Sequence, residues 1–88
     1  MGSIGNHLAT ELQPDRAVTI TPSDGANLER VVFGIYIGTG GNLRVTTQGG
    51  DDVIYYNVQD GTYLPISAQK VWSTSTTATN IIGHWDTP

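Results

Sequence analysis

From residue 17 onward the chain alternates short apolar runs with clusters of turn-forming residues. The runs are AVTIT (17–21), RVVFGIYI (30–37), NLRVTT (42–47), DVIYYNV (52–58), TYLPI (62–66), QKVWST (69–74) and NIIGHW (80–85). Each is rich in β-branched or aromatic side chains, which suit a pleated, half-buried surface. The separators PSDGAN, GTGG, QGGD, QDG and STTAT supply the glycine, proline, asparagine, aspartate and serine that turns demand. This spacing predicts an all-β fold, a small antiparallel β-sandwich or barrel of about seven short strands. No window carries the period of a long amphipathic helix, and LATELQ supplies one turn at most.

Side chains alternate across a strand, so the pattern also nominates a core. Ile35 and Ile37 share one face of their strand, Leu43 and Val45 one face of the next, and Val53 and Tyr55 one face of the fourth; Leu64, Ile66, Val71, Ile81 and Trp85 complete the set. Pro65 cannot donate to a ladder and is expected at an edge or a bulge. Residues 1–16 differ in character. They are mostly polar and carry apolar Ile4, Leu8 and Leu12 at a spacing of four, with His7 between them. They read as an extended N-terminal arm or flexible tail ahead of a single β domain at 17–88, either frayed or ordered against a neighbouring subunit that buries the three aliphatic residues.

Length and charge narrow the function. A chain of 88 residues buries roughly 60 to 65% of its unfolded surface, too little for a sizeable internal cavity. There is no cysteine, hence neither a disulfide nor a thiolate metal site. Only 14% of residues are charged, and Arg16, Arg30, Arg44 and Lys70 are outnumbered two to one by acids, for a net charge of −4. No basic stripe exists to track a phosphate backbone, so nucleic acid is excluded as a partner. The start MGSIGNHLATELQ has no basic, apolar signal pattern, and no segment is long enough to span a bilayer, so neither a secretion signal nor membrane insertion is expected. The Met-Gly start lacks the Ser or Thr at position six that myristoylation requires.

The glycine-rich stretch GIYIGTGGNLRV, residues 34–45, is the strongest candidate for chemistry. A phosphate-binding loop needs a helix whose N-terminal amides receive the phosphate, and the nucleotide version needs a lysine after the last glycine. Here the alternating strand Asn42-Leu43-Arg44-Val45 follows, so the glycines read as a hairpin turn. Asp51 and Asp52 are adjacent in a turn rather than opposed across a cleft, as paired acid and base would be. His7 and His84 stand at opposite ends of the chain, and Ser67, Ser73 and Ser75 lack a nucleophile elbow. No catalytic, cofactor or metal site is predicted. Trp72, Trp85, Tyr36, Tyr55, Tyr56 and Tyr63 could form a stacking platform for sugars, or serve as core and interface packing. Adjacent Tyr55 and Tyr56 must point to opposite faces.

Thr21-Pro22-Ser23-Asp24, the run Gly34 to Leu43, Asn57-Val58 with Gly61, Leu64-Pro65-Ile66, Val71 and Thr76-Thr77-Ala78-Thr79-Asn80-Ile81 occur in an order and spacing that resembles the head spike base proteins of gene transfer agents and related tailed phages. The resemblance implies a non-enzymatic virion component, made in the bacterial host cytoplasm and carried on the outer surface of the head. It implies a homo-oligomer, a pentamer at a capsid vertex, that contacts capsid protein and anchors a spike or fibre protein. Under that reading Ile4, His7, Leu8 and Leu12 are the candidate subunit or capsid contacts, and Tyr56, Trp72 and Trp85 the candidate fibre or glycan contacts. The alternatives are a capsid decoration or tail adaptor subunit and, in a different class, a glycan-binding attachment module.

Overall fold

The structure is a computed structural model that describes residues 15–86. Seven strands, β1 (Arg16–Ile20), β2 (Ile35–Thr39), β3 (Gly41–Thr47), β4 (Asp52–Val58), β5 (Thr62–Leu64), β6 (Ala68–Val71) and β7 (Thr79–Trp85), form two antiparallel sheets. One sheet has the order β1-β7-β2-β5 and the other β4-β3-β6. The expected all-β architecture is therefore a two-sheet sandwich. Its core draws Ile20, Ile35, Ile37 and Ile81 from the first sheet and Leu43, Val45, Ala68 and Val71 from the second. Each fully buried aliphatic side chain of this kind contributes about 1.5–3 kcal/mol through removal of apolar surface from water.

Two further core residues, Val32 and Ala78, come from connections rather than strands. Val32 exchanges both backbone hydrogen bonds with Ala68, at 3.0 and 2.8 Å, while the next amide, Phe33, donates to the His84 carbonyl at 2.8 Å. The connection 21–34 thereby touches both sheets. Its Ser23 and Leu28 amides also donate to the carbonyls of Val71 and Gln69, so it covers the outer edge of β6 that would otherwise stand unpaired.

Several sequence expectations need correction. The second strand begins at Ile35, because residues 30–34 bend to reach β6. Val53 lies opposite Val45 on the inner side, yet it is 39% exposed because β4 is a sheet edge that no other strand among the described residues covers. Tyr55, Leu64, Ile66 and Trp85 pack against the core only partly buried. Pro65 directly follows edge strand β5, and the Ile66 amide bonds back to the Leu64 carbonyl at 2.9 Å, a γ-turn that ends the strand.

The largest correction concerns the glycines of GTGG. β2 and β3 belong to different sheets and do not pair, so the link between them is a crossing from one layer to the other and no hairpin. A Cβ on Gly40 would collide with the Val58 carbonyl. Gly41 has φ 156°, and a Cβ there would lie 2.6 Å from Thr77 Oγ1 and 2.8 Å from the Ala78 nitrogen. Both positions require glycine because another backbone segment approaches closely. The β4-to-β5 connection changes layer at the same place, and the Gly40 amide donates to Asp60 Oδ1 at 2.6 Å, fastening the two crossings together.

Candidate functional site

The two tryptophans organise the polar surface. Lys70 and Trp72 are two apart along β6 and its end, so they share a face, and β3 brings Arg44 alongside. Lys70 Nζ lies 3.6 Å and Arg44 Cζ 3.9 Å from the Trp72 ring centre. The indole Nε1 donates to Thr46 Oγ1 at 2.9 Å. Arg44 is fixed by a two-pronged pair with Asp52, Nε to Oδ1 at 3.1 Å and NH2 to Oδ2 at 2.8 Å. Lys70 Nζ donates to the Asp24 carbonyl at 2.6 Å. The Asp24 carboxylate in turn accepts from the Thr74 amide at 2.8 Å and from the Thr74 hydroxyl.

These bonds set the electrostatics. The Thr74 hydroxyl and amide hold the Asp24 carboxyl below the usual carboxylate range. The hydrogen bonds from Arg44 do the same for Asp52, and Asp52 raises Arg44 in return. Both carboxylates are thus kept ionised as acceptors in a structural network, the opposite of the raised value a general acid needs.

Trp85, at the end of β7, carries the other two cations, with Arg30 Cζ 4.2 Å and Arg16 Cζ 5.3 Å from its ring centre. All four basic side chains of the chain therefore stack on a tryptophan. Along the sequence these four residues stand far apart, with no basic stripe among them. The Lys70–Trp72 pair was legible as neighbours two apart in a strand, but the other three pairs depend on strand pairing or on the course of the 21–34 connection.

The predicted contact residues do not converge. Tyr56, 67% exposed, lies on edge strand β4, and Trp72 lies beyond β6 of the same sheet, whereas Trp85 belongs to the four-stranded sheet. Tyr55 packs inward while Tyr56 points out, as their adjacency requires. Tyr36 and Tyr63 face each other across β2 and β5, and Tyr63 meets the His84 ring edge-on at 5.8 Å. Tyr36 and Tyr63 thus form one exposed pair on the four-stranded sheet, while Tyr56, Trp72 and Trp85 stand apart from one another and each indole carries two cations. Ile4, His7, Leu8 and Leu12 lie outside the described residues.

Asp51 and Asp52, which the sequence placed together in a solvated turn, have different tasks. The Asp51 carbonyl accepts from the Thr47 amide at 2.8 Å and closes the β3–β4 hairpin, while Asp52 pairs with Arg44. Among the described residues no group of three or more His, Cys, Asp or Glu side chains is placed to hold a metal ion.

No protein-family model matches the chain. No curated protein matches it either. Among solved structures, one chain of "Capsid of native GTA particle computed with C5 symmetry" superposes with a TM-score of 0.75 at 36% identity, covering 84% of this chain and 86% of that one. At that identity, with nearly the whole of each chain covered, this protein belongs to the same family as that gene transfer agent (GTA) capsid chain.

Proposed function

We propose that this chain is a non-enzymatic structural protein of a gene transfer agent or tailed-phage particle. Within that class we assign it to the base of a head spike: a homo-oligomeric ring at a capsid vertex, on the outer surface of the head, that holds a fibre. The observation that carries this reading is the 36% identity and matching fold shared with a chain of a GTA capsid solved with fivefold symmetry. The surface chemistry fits. The carboxylates nearest to basic groups are committed to structural bonds, and the domain is a thin sandwich whose crossings and edges are tied by backbone contacts. A rigid small β domain repeated around a symmetry axis gains attachment strength through multivalency.

Antibody or affinity-tag labelling of intact particles, followed by electron microscopy, tests the assignment. Label confined to capsid vertices is the expected result. Label spread over the shell would replace this reading with a decoration protein, and label at the tail would replace it with an adaptor. Removing residues 1–13 is expected to leave the domain folded and to abolish incorporation, since those residues carry Ile4, Leu8 and Leu12.

A further inference from the structure

The sandwich is open between β1 and the 21–34 connection. A groove of ≈ 390 Å³ there is lined by Val18, Ile20, Leu28 and Val32, with Arg30 and Trp85 among its walls. Val18 sits on the inner side of β1, two residues from buried Ile20, and is nevertheless 47% exposed. We propose that this groove receives Ile4, Leu8 and Leu12 from the N-terminal segment of a neighbouring copy, so that each subunit of a ring donates one segment and accepts another. The inference rests on the ring reading above and names the contact that closes it.

Size, spacing, direction and charge support this occupant. A dry cavity of about 150 Å³ holds one benzene-sized group, so a groove of ≈ 390 Å³ has room for more than two of them and, with about four carbons per leucine or isoleucine side chain against benzene's six, for all three aliphatics. Residues at a spacing of four lie on one side of an extended chain and on one side of a helix, so the three aliphatics can enter together. Direction argues for a neighbour's segment over the chain's own. Arg16 still pairs with Trp85, and the Asp15 amide donates to Asp86 Oδ1 at 2.8 Å, so at residue 15 the chain is running along β1 away from Ile20. Pro14 disfavours the helical backbone at Gln13 that an immediate reversal would use. Glu11 is the one charged side chain in the first fourteen residues; Arg16 and Arg30, beside the groove on Trp85, form no ion pair among the described residues and outnumber Glu29, the one acid in the groove wall. Head-to-tail contacts of this kind close into a ring when the rotation permits.

Native mass spectrometry of the full chain tests the contact. The wild type is expected at a multiple of 9.4 kDa, about 47 kDa for five copies. Val18→Asp, which alters the groove at a half-exposed position, and the double variant Leu8→Asp with Leu12→Asp, which alters the donated segment, are each expected as folded single chains, with folding checked by circular dichroism. Mixed one to one, the two are expected to form heterodimers, because the groove variant still donates a sound segment and the segment variant still accepts it. Rings that persist in Val18→Asp would overturn the groove assignment while leaving the ring reading intact. Single variants without heterodimers in the mixture would show that each segment fills its own groove. A wild type that stays single would overturn the ring reading and this contact with it.

Discussion

Gly40 and Gly41 show how a residue that looks like a turn signal can serve close approach instead. At Gly40 the space a side chain would need is taken by the Val58 carbonyl, and at Gly41 by Thr77 and Ala78. The chain can step between sheets in a single residue only because neither position carries a Cβ. Gly41→Ala is expected to cost about 1 to 3 kcal/mol from its backbone conformation alone, read as a lowered urea midpoint. Gly25→Ala, where nothing lies within 4 Å of the new carbon, is expected to change stability by less than about 0.5 kcal/mol. The same scale governs the response to acid. Asp24 and Asp52 titrate below their unfolded value, so their contribution is complete above about pH 4 and is lost as pH falls through the lower folded value. A chain with Asp24→Asn and Asp52→Asn is therefore expected to melt below the wild type at pH 7. The two melting curves should converge as pH falls through the lowered folded-state values, where the wild-type carboxyls lose their charge as well. A gap that persisted unchanged into acid would mean that the two side chains act by shape and not by charge.

At the level of elements, the strands were readable and the way they assemble was only partly so. Alternation identified Ile35, Ile37, Leu43, Val45, Val71 and Ile81 as core because each sits in a regular strand whose period of two survives into the fold. It missed Val32 and Ala78, which lie in connections where no period exists to be read, and also Ile20 and Ala68, which stand at the end of β1 and the start of β6. It overrated Val53 because alternation reports the side of a sheet and not whether anything covers that side. A contrast between two chemically identical changes tests this account. Val32→Ala removes two methyl groups at 1% exposure and is expected to cost about 2 kcal/mol. Val53→Ala, at 39% exposure, is expected to cost less than half as much by urea denaturation. Equal losses would mean that β4 is covered in solution. The resemblance motifs also take on physical content at this level. In the TPSD stretch, Asp24 binds Thr74 and Lys70. In the TTAT stretch, the Thr76 and Thr77 hydroxyls accept from the Arg44 and Asn42 amides at 3.0 and 2.9 Å. Both motifs tie connections to strands, which a linear reading cannot show because the partners stand 32 to 50 residues apart.

For the whole molecule, the decisive quantity is how few charges it has and where they are used. Four cations lie against indole rings, and eight acids leave a net charge of −4 on every copy. Copies brought together in a ring therefore repel one another weakly at long range, while the contact that holds them is apolar on the reading proposed above. One exposed Glu11–arginine pair per contact adds little, since such pairs are worth about 0 to 1 kcal/mol and are screened. Salt separates these terms. At an ionic strength of about 0.1 M the screening length is about 10 Å, and at about 1 M it is about 3 Å, so the repulsion between copies fades while apolar burial does not. Raising sodium chloride from about 0.05 to about 0.5 M is expected to leave the ring mass unchanged and to lower the concentration at which it dissociates, measured by sedimentation velocity. Dissociation promoted by salt would show instead that opposite charges hold the subunits together, with Arg16 and Arg30 as the first residues to substitute.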